Sequence, residues 1–122
     1  MITQYILLLE NEPIIRADVQ SSLEAYGYHV LPTDEVQEAI ALCQQYTPTL
    51  ALINFNPKDP TDGLAIAQIL RGLCSITILF ITTASQQEMS ASKDYDKPYH
   101  ILYMPFTRQQ LLSAVQNLYN LV

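Results

Sequence analysis

The chain has 122 residues and a mass of 13.8 kDa, with 6 basic residues, 12 acidic residues and a formal net charge of −6. This length predicts a single domain over residues 1–122, and 49% hydrophobic against 15% charged residues argues against disorder. The acidic balance argues against direct nucleic-acid binding, which requires a basic surface. No apolar run reaches the ~18 residues of a membrane span, and no signal peptide is recognisable, so we expect a cytoplasmic protein without membrane contact.

The first third of the chain alternates between strand and helix patterns. The apolar run Tyr5–Leu9 is typical of a strand covered on both faces. Helical spacing over Pro13–Tyr26 predicts a buried stripe of Ile14, Ala17, Val19, Leu23 and Tyr26, and Gly27 suits the position after the helix. A short strand over Tyr28–Leu31 follows.

The middle of the chain repeats this alternation. Thr33 or Asp34 is predicted to cap a helix that runs to about Tyr46. Leu50–Phe55 is a second run that is apolar on both faces. Residues 56–63 are dense in turn-forming residues and are predicted to form a loop.

The last third contains two more strands. A helix is predicted over Leu64–Leu73 and a strand over Ile76–Thr82. The polar stretch Ser85–Tyr99 predicts a short, weak helix followed by an irregular loop, and His100–Tyr103 predicts the last strand.

The final helix carries a start signal. Thr107 is predicted to cap it, and Gln110, three residues later, completes a capping box. The element order is therefore (βα)5, which predicts an α/β fold: a doubly wound, parallel, five-stranded sheet in a three-layer α/β/α arrangement. In such sheets ligand chemistry collects at the carboxyl ends of the strands, where strand order reverses.

The two cysteines, Cys43 and Cys74, form no CxxC motif and have no nearby pair of histidines. Both fall inside apolar helical patterns. We therefore interpret them as reduced thiols of the core.

The residues that follow the strands carry a family resemblance. They are Glu10-Asn11-Glu12-Pro13, Asn54 with the later Asp62-Gly63, Thr83-Ala84 and Met104-Pro105-Phe106. In this order and spacing they resemble the receiver domain of two-component response regulators, the CheY-like, flavodoxin-like phosphoacceptor fold. The resemblance spans essentially the whole chain and implies a cis peptide bond before Pro105.

The residues that would carry the receiver chemistry differ from the family pattern. Asn54 stands at the phosphoacceptor aspartate, Asn11 at the second acid of the pair and Met104 at the lysine, while Glu10 remains acidic. Phosphoryl transfer needs a carboxylate nucleophile, a divalent cation and a charge-balancing cation. The resemblance therefore implies a degenerate pseudo-receiver that works independently of phosphorylation, with no enzyme activity, no metal or other cofactor, and weak or absent Mg²⁺ binding.

The conformational switch of the family is also incomplete. Thr83 matches the switch threonine, but Ile101 stands where receivers carry an aromatic residue on the fifth strand. Because Ile101 has no ring to swing, the resemblance does not imply the usual rotamer coupling.

A protein-binding surface is the remaining functional prediction. In receivers the fourth helix, fifth strand and fifth helix often form the dimer or partner face, and tyrosines suit interfaces. We expect a face that includes Tyr95, Tyr99, Tyr103, Arg108 and Gln109. Its partner would be a histidine kinase, an output domain, another regulator or a second copy of the chain. The alternative is that some of these tyrosines cover the sheet edge and the core.

Two other functions stay open at this stage. One is a working phosphorelay receiver that uses another acid, with Asp59 or Asp62 as the nearest candidates. The other is a small-molecule sensor that uses the neutralised pocket.

Overall fold

The computed structural model describes residues 4–56, 60–91 and 100–120. Strands and helices alternate strictly along these residues. Their bounds are β1 Tyr5–Leu9, α1 Pro13–Glu24, β2 His29–Thr33, α2 Val36–Tyr46, β3 Leu50–Asn54, α3 Pro60–Leu73, β4 Thr77–Thr82, α4 Gln86–Ala91, β5 His100–Tyr103 and α5 Arg108–Asn120. Among the helices of these ranges, none has the length and apolar character that crossing a membrane requires.

The five strands form one parallel sheet in the order β2-β1-β3-β4-β5. This arrangement confirms the predicted α/β doubly wound fold. The chain moves from β1 outward to β2 and then returns to β3 on the other side of β1, so strand order reverses between β1 and β3. The carboxyl ends of these two strands therefore mark the expected site.

The core lies on both faces of the sheet. One apolar cluster joins the sheet to α2 and α3 and includes Leu7, Ala39, Ala51, Ala67 and Leu70. The other joins it to α1 and α5 and includes Ile6, Leu8, Leu23, Leu52 and Val115. Alternate residues of β1 thus face opposite layers, which explains why its sequence is apolar without interruption.

Helix α1 buries only part of the predicted stripe. Ile14 is 85% exposed, whereas Val19 and Leu23 are 1% and 0% exposed. The helix also ends at Glu24, two residues before the predicted end, and Gly27 adopts a φ of 95° in the turn that follows. Helical spacing does not show how far along the helix the stripe is covered, and packing against the sheet covers Val19 and Leu23 but not Ile14.

The boundary between β2 and α2 was also predicted wrongly. β2 continues through Pro32 and Thr33, which is tolerated because β2 is an edge strand. Neither Thr33 nor Asp34 caps α2, since the N-cap residue is Glu35 and it makes no side-chain cap bond. The Thr33 hydroxyl instead accepts a hydrogen bond from the Glu35 N–H at 3.1 Å.

Helix α3 begins at Pro60, inside the segment that was predicted to be a loop. Proline is tolerated in a first helical turn because the N–H it lacks has no helical partner there. The helix ends at Leu73, so Cys74 follows it rather than lying within the helical pattern.

The last two helices start with reciprocal caps. Thr107 and Gln110 exchange bonds, with the Gln110 N–H donating to the Thr107 hydroxyl at 3.1 Å and the Thr107 N–H donating to Gln110 Oε1 at 2.8 Å. This confirms the predicted capping box. Ser85 and Glu88 form a second such box before α4, with both bonds at 3.1 Å, which the sequence analysis missed. The irregular loop predicted after α4 lies outside the described residues.

Candidate functional site

The site residues Glu10 and Asn54 meet at the point where strand order reverses. Leu9 of β1 is in register with Ile53 of β3, so the residues that follow each of them lie side by side. Glu10 is 1% exposed, and Asn54 is half-buried. The parallel pairing of two central strands therefore brings together residues that are 44 positions apart in sequence.

The Glu10 carboxylate accepts hydrogen bonds from the Asn54 side chain and from the Glu12 backbone. Asn54 Nδ2 donates to Glu10 Oε1 at 2.9 Å and to Oε2 at 3.0 Å, and the Glu12 N–H donates to Oε2 at 3.2 Å. Arg16 Nη1 donates to the Glu10 carbonyl oxygen at 2.8 Å, which brings a cation close to this residue. These donors offset the cost of burying a carboxylate.

The remaining predicted residues surround an open cavity. Its volume is about 510 Å³, and Asn11, Asn54, Thr83 and Met104 all contribute to its lining. Asn11 and Thr83 are exposed, while Met104 is half-buried. The structure thus gathers the predicted pocket residues around one opening, with Glu10 beneath it.

The backbone beside Met104 is fixed by the sheet. The Met104 N–H donates to the Thr82 carbonyl oxygen at 2.7 Å, and the Met104–Pro105 peptide bond is cis, as the resemblance implies. These constraints place the thioether of Met104 at the cavity where the family carries an ammonium group. The methionine occupies this volume without adding a charge.

The donor set at this edge does not suit Mg²⁺, which prefers several hard, charged oxygens in octahedral geometry. Glu10 is the one acid of the three receiver positions, and its oxygens already accept from Asn54 and Glu12. Across the described residues, no three His, Cys, Asp or Glu side chains gather in a way that would hold a metal ion. Asp59 lies outside the described residues, as does the side chain of Asp62.

The switch positions differ in their surroundings. Thr83 is exposed at the cavity, whereas its neighbour Thr82 is 1% exposed and accepts a hydrogen bond from the Ala84 N–H at 3.1 Å. Ile101 is in register with Phe80 on the adjacent strand and packs against the core.

The predicted partner face is brought together only in part. Tyr103 and Gln109 line a groove of about 600 Å³ between β5 and α5. Arg108 is exposed, but its Nε donates to the Ser22 hydroxyl on α1 at 3.2 Å, so its head is directed towards α1. Tyr95 and Tyr99 lie outside the described residues.

Sequence reasoning missed two pairings. It named Glu10 and Asn54 separately, without the bond between them, and it treated Cys43 and Cys74 as separate core thiols although their sulfurs are 3.4 Å apart. The strand register was the one available signal for the first pair, because residues that end adjacent parallel strands are neighbours. The second pair depends on how α2 and α3 pack, for which the sequence gives no local sign.

Comparison with known proteins identifies the family. Residues 6–116 match the response regulator receiver domain. The chain is 26% identical over 125 aligned residues to the aerobic respiration control protein ArcA of Escherichia coli, covering 97% of this chain and 52% of ArcA. It is also 26% identical over 113 residues to the transcriptional regulatory protein PdtaR of Mycobacterium tuberculosis, covering 91% of this chain and 54% of PdtaR.

Solved structures agree with the sequence matches. The crystal structure of a response regulator receiver protein from Sinorhizobium medicae superimposes with a TM-score of 0.79 at 27% identity, covering 97% of this chain and 95% of that one. The chain spans about half the length of ArcA and PdtaR.

Proposed function

Because the chain belongs to the response regulator receiver domain family of two-component signalling, we propose that it is a pseudo-receiver that signals without accepting a phosphoryl group. It acts as a protein–protein interaction module. It carries out no catalysis of its own and needs no cofactor.

The hydrogen bonds of Asn54 carry this proposal. Its amide nitrogen, which is not a nucleophile, is directed at both oxygens of Glu10 at 2.9 and 3.0 Å. An acyl phosphate forms only when a carboxylate oxygen attacks phosphorus and the leaving group departs from the opposite side. The amide offers no such oxygen, and the neighbouring carboxylate is buried and already accepts hydrogen bonds.

The charge of the surroundings supports the same function. An active receiver balances several carboxylates with a metal ion and a lysine, whereas here Asn11, Asn54 and Met104 are all neutral. Removal of acids alone would leave an unpaired cation, which is costly in a partly buried site. Because the acids and the lysine are replaced together, the site holds no uncompensated lysine in the absence of Mg²⁺ and a phosphoryl group.

The partner of this module is another signalling protein: a histidine kinase, an output domain or another regulator. Receiver domains in general interact with such proteins. The groove between β5 and α5 supports a contact surface here because it combines Tyr103, with an apolar ring and a polar tip, with the amide of Gln109. A homodimer through this face is the simplest form of the interaction.

Phosphorylation chemistry is tested by incubation with a small acyl phosphate donor and Mg²⁺, followed by intact-mass measurement. We expect no gain of a phosphoryl mass. A variant that combines Asn11→Asp, Asn54→Asp and Met104→Lys serves as the positive control and should regain Mg²⁺ affinity. A phosphoryl group that maps to Asp59, Asp62 or any other residue of the unmodified chain would overturn the proposal in favour of a working phosphorelay receiver.

The interaction surface is tested by sedimentation over a concentration series. If the face forms a homodimer, Tyr103→Ala should shift the chain towards monomer, while Ile69→Ala, a change at an exposed apolar residue of α3, should not. Equal effects of the two variants would contradict the assignment of the groove.

A small-molecule sensor is the second candidate, and the cavity of about 510 Å³ favours it. Its lining combines the amides of Asn11, Asn54 and Asn56 with apolar side chains such as Ile15 and Met104. A ligand of matching character, with polar groups on an apolar body, would raise the melting temperature of the chain. Asn54→Leu should abolish that rise.

A further inference from the structure

The two cysteines lie in contact near the amino ends of the strands, at the end of the sheet opposite to Glu10 and Asn54. Cys43 lies on α2 and is 1% exposed, and Cys74 directly follows α3 and is half-buried. Their sulfur atoms are 3.4 Å apart, although 31 positions separate them in sequence. The packing of α2 against α3 therefore holds two reduced thiols in contact.

The two thiols differ in access. Cys74 lines an open cavity of about 610 Å³, together with Arg71, Ser75 and Thr77 near the amino end of β4. Cys43 belongs to the buried core and is not part of that lining. A dissolved oxidant therefore reaches the Cys74 sulfur first.

Hydrogen bonding also distinguishes the thiols. Cys74 Sγ donates to the Leu70 carbonyl oxygen at 3.7 Å, which leaves its sulfur free to accept from the Cys43 thiol. The pKa of Cys43 is raised to about 12 by burial and, secondarily, by its hydrogen bond with Cys74 and the charge of that neighbour. Cys43 therefore stays protonated while Cys74 reacts.

We propose that Cys43 and Cys74 form a disulfide within one chain when the protein meets a hydroperoxide. In the first step the Cys74 sulfur attacks the peroxide oxygen, the O–O bond breaks, and the products are a sulfenic acid and an alcohol or water. In the second step Cys43 loses its proton and its sulfur attacks Cys74, releasing water. One peroxide is thereby reduced by two electrons, and two thiols are oxidised to one disulfide.

The geometry requires little movement for the second step. The sulfurs must approach from 3.4 Å to the bonding distance of about 2.05 Å. Once Cys74 is a sulfenic acid, its sulfur is the electrophile, and the Cys43 sulfur already lies in contact with it. The resulting link closes a long loop between α2 and α3, and we expect it to raise the melting temperature by about 10 °C.

The experiment treats the full chain with hydrogen peroxide and counts free thiols with an aromatic disulfide reagent. We expect both thiols to be lost, intact mass to fall by two hydrogen atoms, and a Cys43–Cys74 peptide to appear in a non-reducing digest. The chain should stay monomer-sized on a denaturing, non-reducing gel, and a dithiol reductant should reverse the change in melting temperature. Persistence of both thiols, or disulfides between chains alone, would overturn the proposal.

Two variants test the order of the steps. In Cys43→Ala, peroxide should leave a sulfenic acid on Cys74 that a cyclic diketone traps, because no second thiol is near. In Cys74→Ala, the buried Cys43 should react at least tenfold more slowly. Equal trapping in both variants would refute the assigned order. Cys74→Ala removes only a half-buried side chain, so the test on that variant remains available if Cys43→Ala, a change in the core, does not fold.

Discussion

The substitution Asn54→Asp should destabilise the fold at neutral pH. The new carboxylate would replace the Asn54 amide, whose nitrogen lies 2.9 and 3.0 Å from the two oxygens of Glu10. Two hydrogen bonds to a buried carboxylate would thus be exchanged for contact between two acids. In the absence of Mg²⁺, the nearby Arg16 guanidinium offsets little of this exchange, because its Nη1 donates to the Glu10 carbonyl oxygen and not to the carboxylate.

The expected loss of stability follows from comparing two protonation states of the two carboxyl groups in the variant: both ionised, or one of them protonated. With both acids ionised about 3 Å apart, their repulsion at an effective dielectric of about 20 is about 5.5 kcal/mol. If the pair instead keeps one proton at pH 7, the cost for an acid of ordinary pKa near 4 is about 4 kcal/mol, since each pKa unit corresponds to about 1.4 kcal/mol. The pair adopts the state of lower free energy, which is the singly protonated one. We therefore expect the free energy of unfolding to fall by about 3–4 kcal/mol, slightly less than the full value because the site is partly accessible to solvent.

The loss should depend on pH and on Mg²⁺. Because the shared proton raises the pKa of the variant pair, stability relative to the unmodified chain should recover as pH falls, with about 1.5 kcal/mol of loss left at pH 5. Urea unfolding at pH 7 and pH 5, with a chelator present, measures both values. Mg²⁺ should stabilise the variant and leave the unmodified chain unchanged.

Two controls separate this mechanism from a general effect of added charge. Asn11→Asp adds the same charge at an exposed position of the same edge and should change stability by less than about 0.5 kcal/mol. Glu10→Gln combined with Asn54→Asp reverses the acid and amide of the pair and should recover most of the loss. Asn54→Asp as stable as the unmodified chain at pH 7 in chelator would refute the reasoning.

Two further predictions concern the scaffold. Gly63→Ala should cost about 1–3 kcal/mol because the added methyl would overlap the ring of Phe55, whereas Gly72→Ala, whose methyl meets nothing within 4 Å, should stabilise α3 by about 0.5–1 kcal/mol. The melting temperatures of the two variants should therefore shift in opposite directions, and equal shifts would contradict the packing at Gly63. Leu23→Ala should cost about 2–5 kcal/mol and Ile14→Ala less than about 0.5 kcal/mol, since these α1 residues are 0% and 85% exposed; chemical denaturation measures both, and a large loss at Ile14 would contradict its exposure to solvent.

The fold could be predicted from sequence because its signals are local. Runs such as Tyr5–Leu9 and Leu50–Ile53 are apolar at every position, and burial on both faces is the ordinary reason for such a run. The Thr107 cap was equally readable, since both members of its box lie within one turn.

The errors fall where tertiary packing decides between local alternatives. Turn-forming residues before Gly63 suggested a loop, yet Pro60 is compatible with a first helical turn and α3 begins there. On α1 the sheet covers Val19 and Leu23 of the predicted stripe and leaves Ile14 exposed. At the site, residue types could be listed from the sequence, but the bond between Glu10 and Asn54 depends on the register of β1 and β3.

The Glu10–Asn54 hydrogen bond also bears on which mutational paths are open to this chain. A single base change converts an asparagine codon into an aspartate codon, so the phosphoacceptor of the family is one step away in the genetic code. This single substitution would give a less stable protein, because the buried Glu10 carboxylate accepts hydrogen bonds from the Asn54 amide that the substitution removes. An aspartate at this position is tolerated without that cost only after a companion change, such as Glu10→Gln or a new cation, so the order of the substitutions decides which of them the fold accepts.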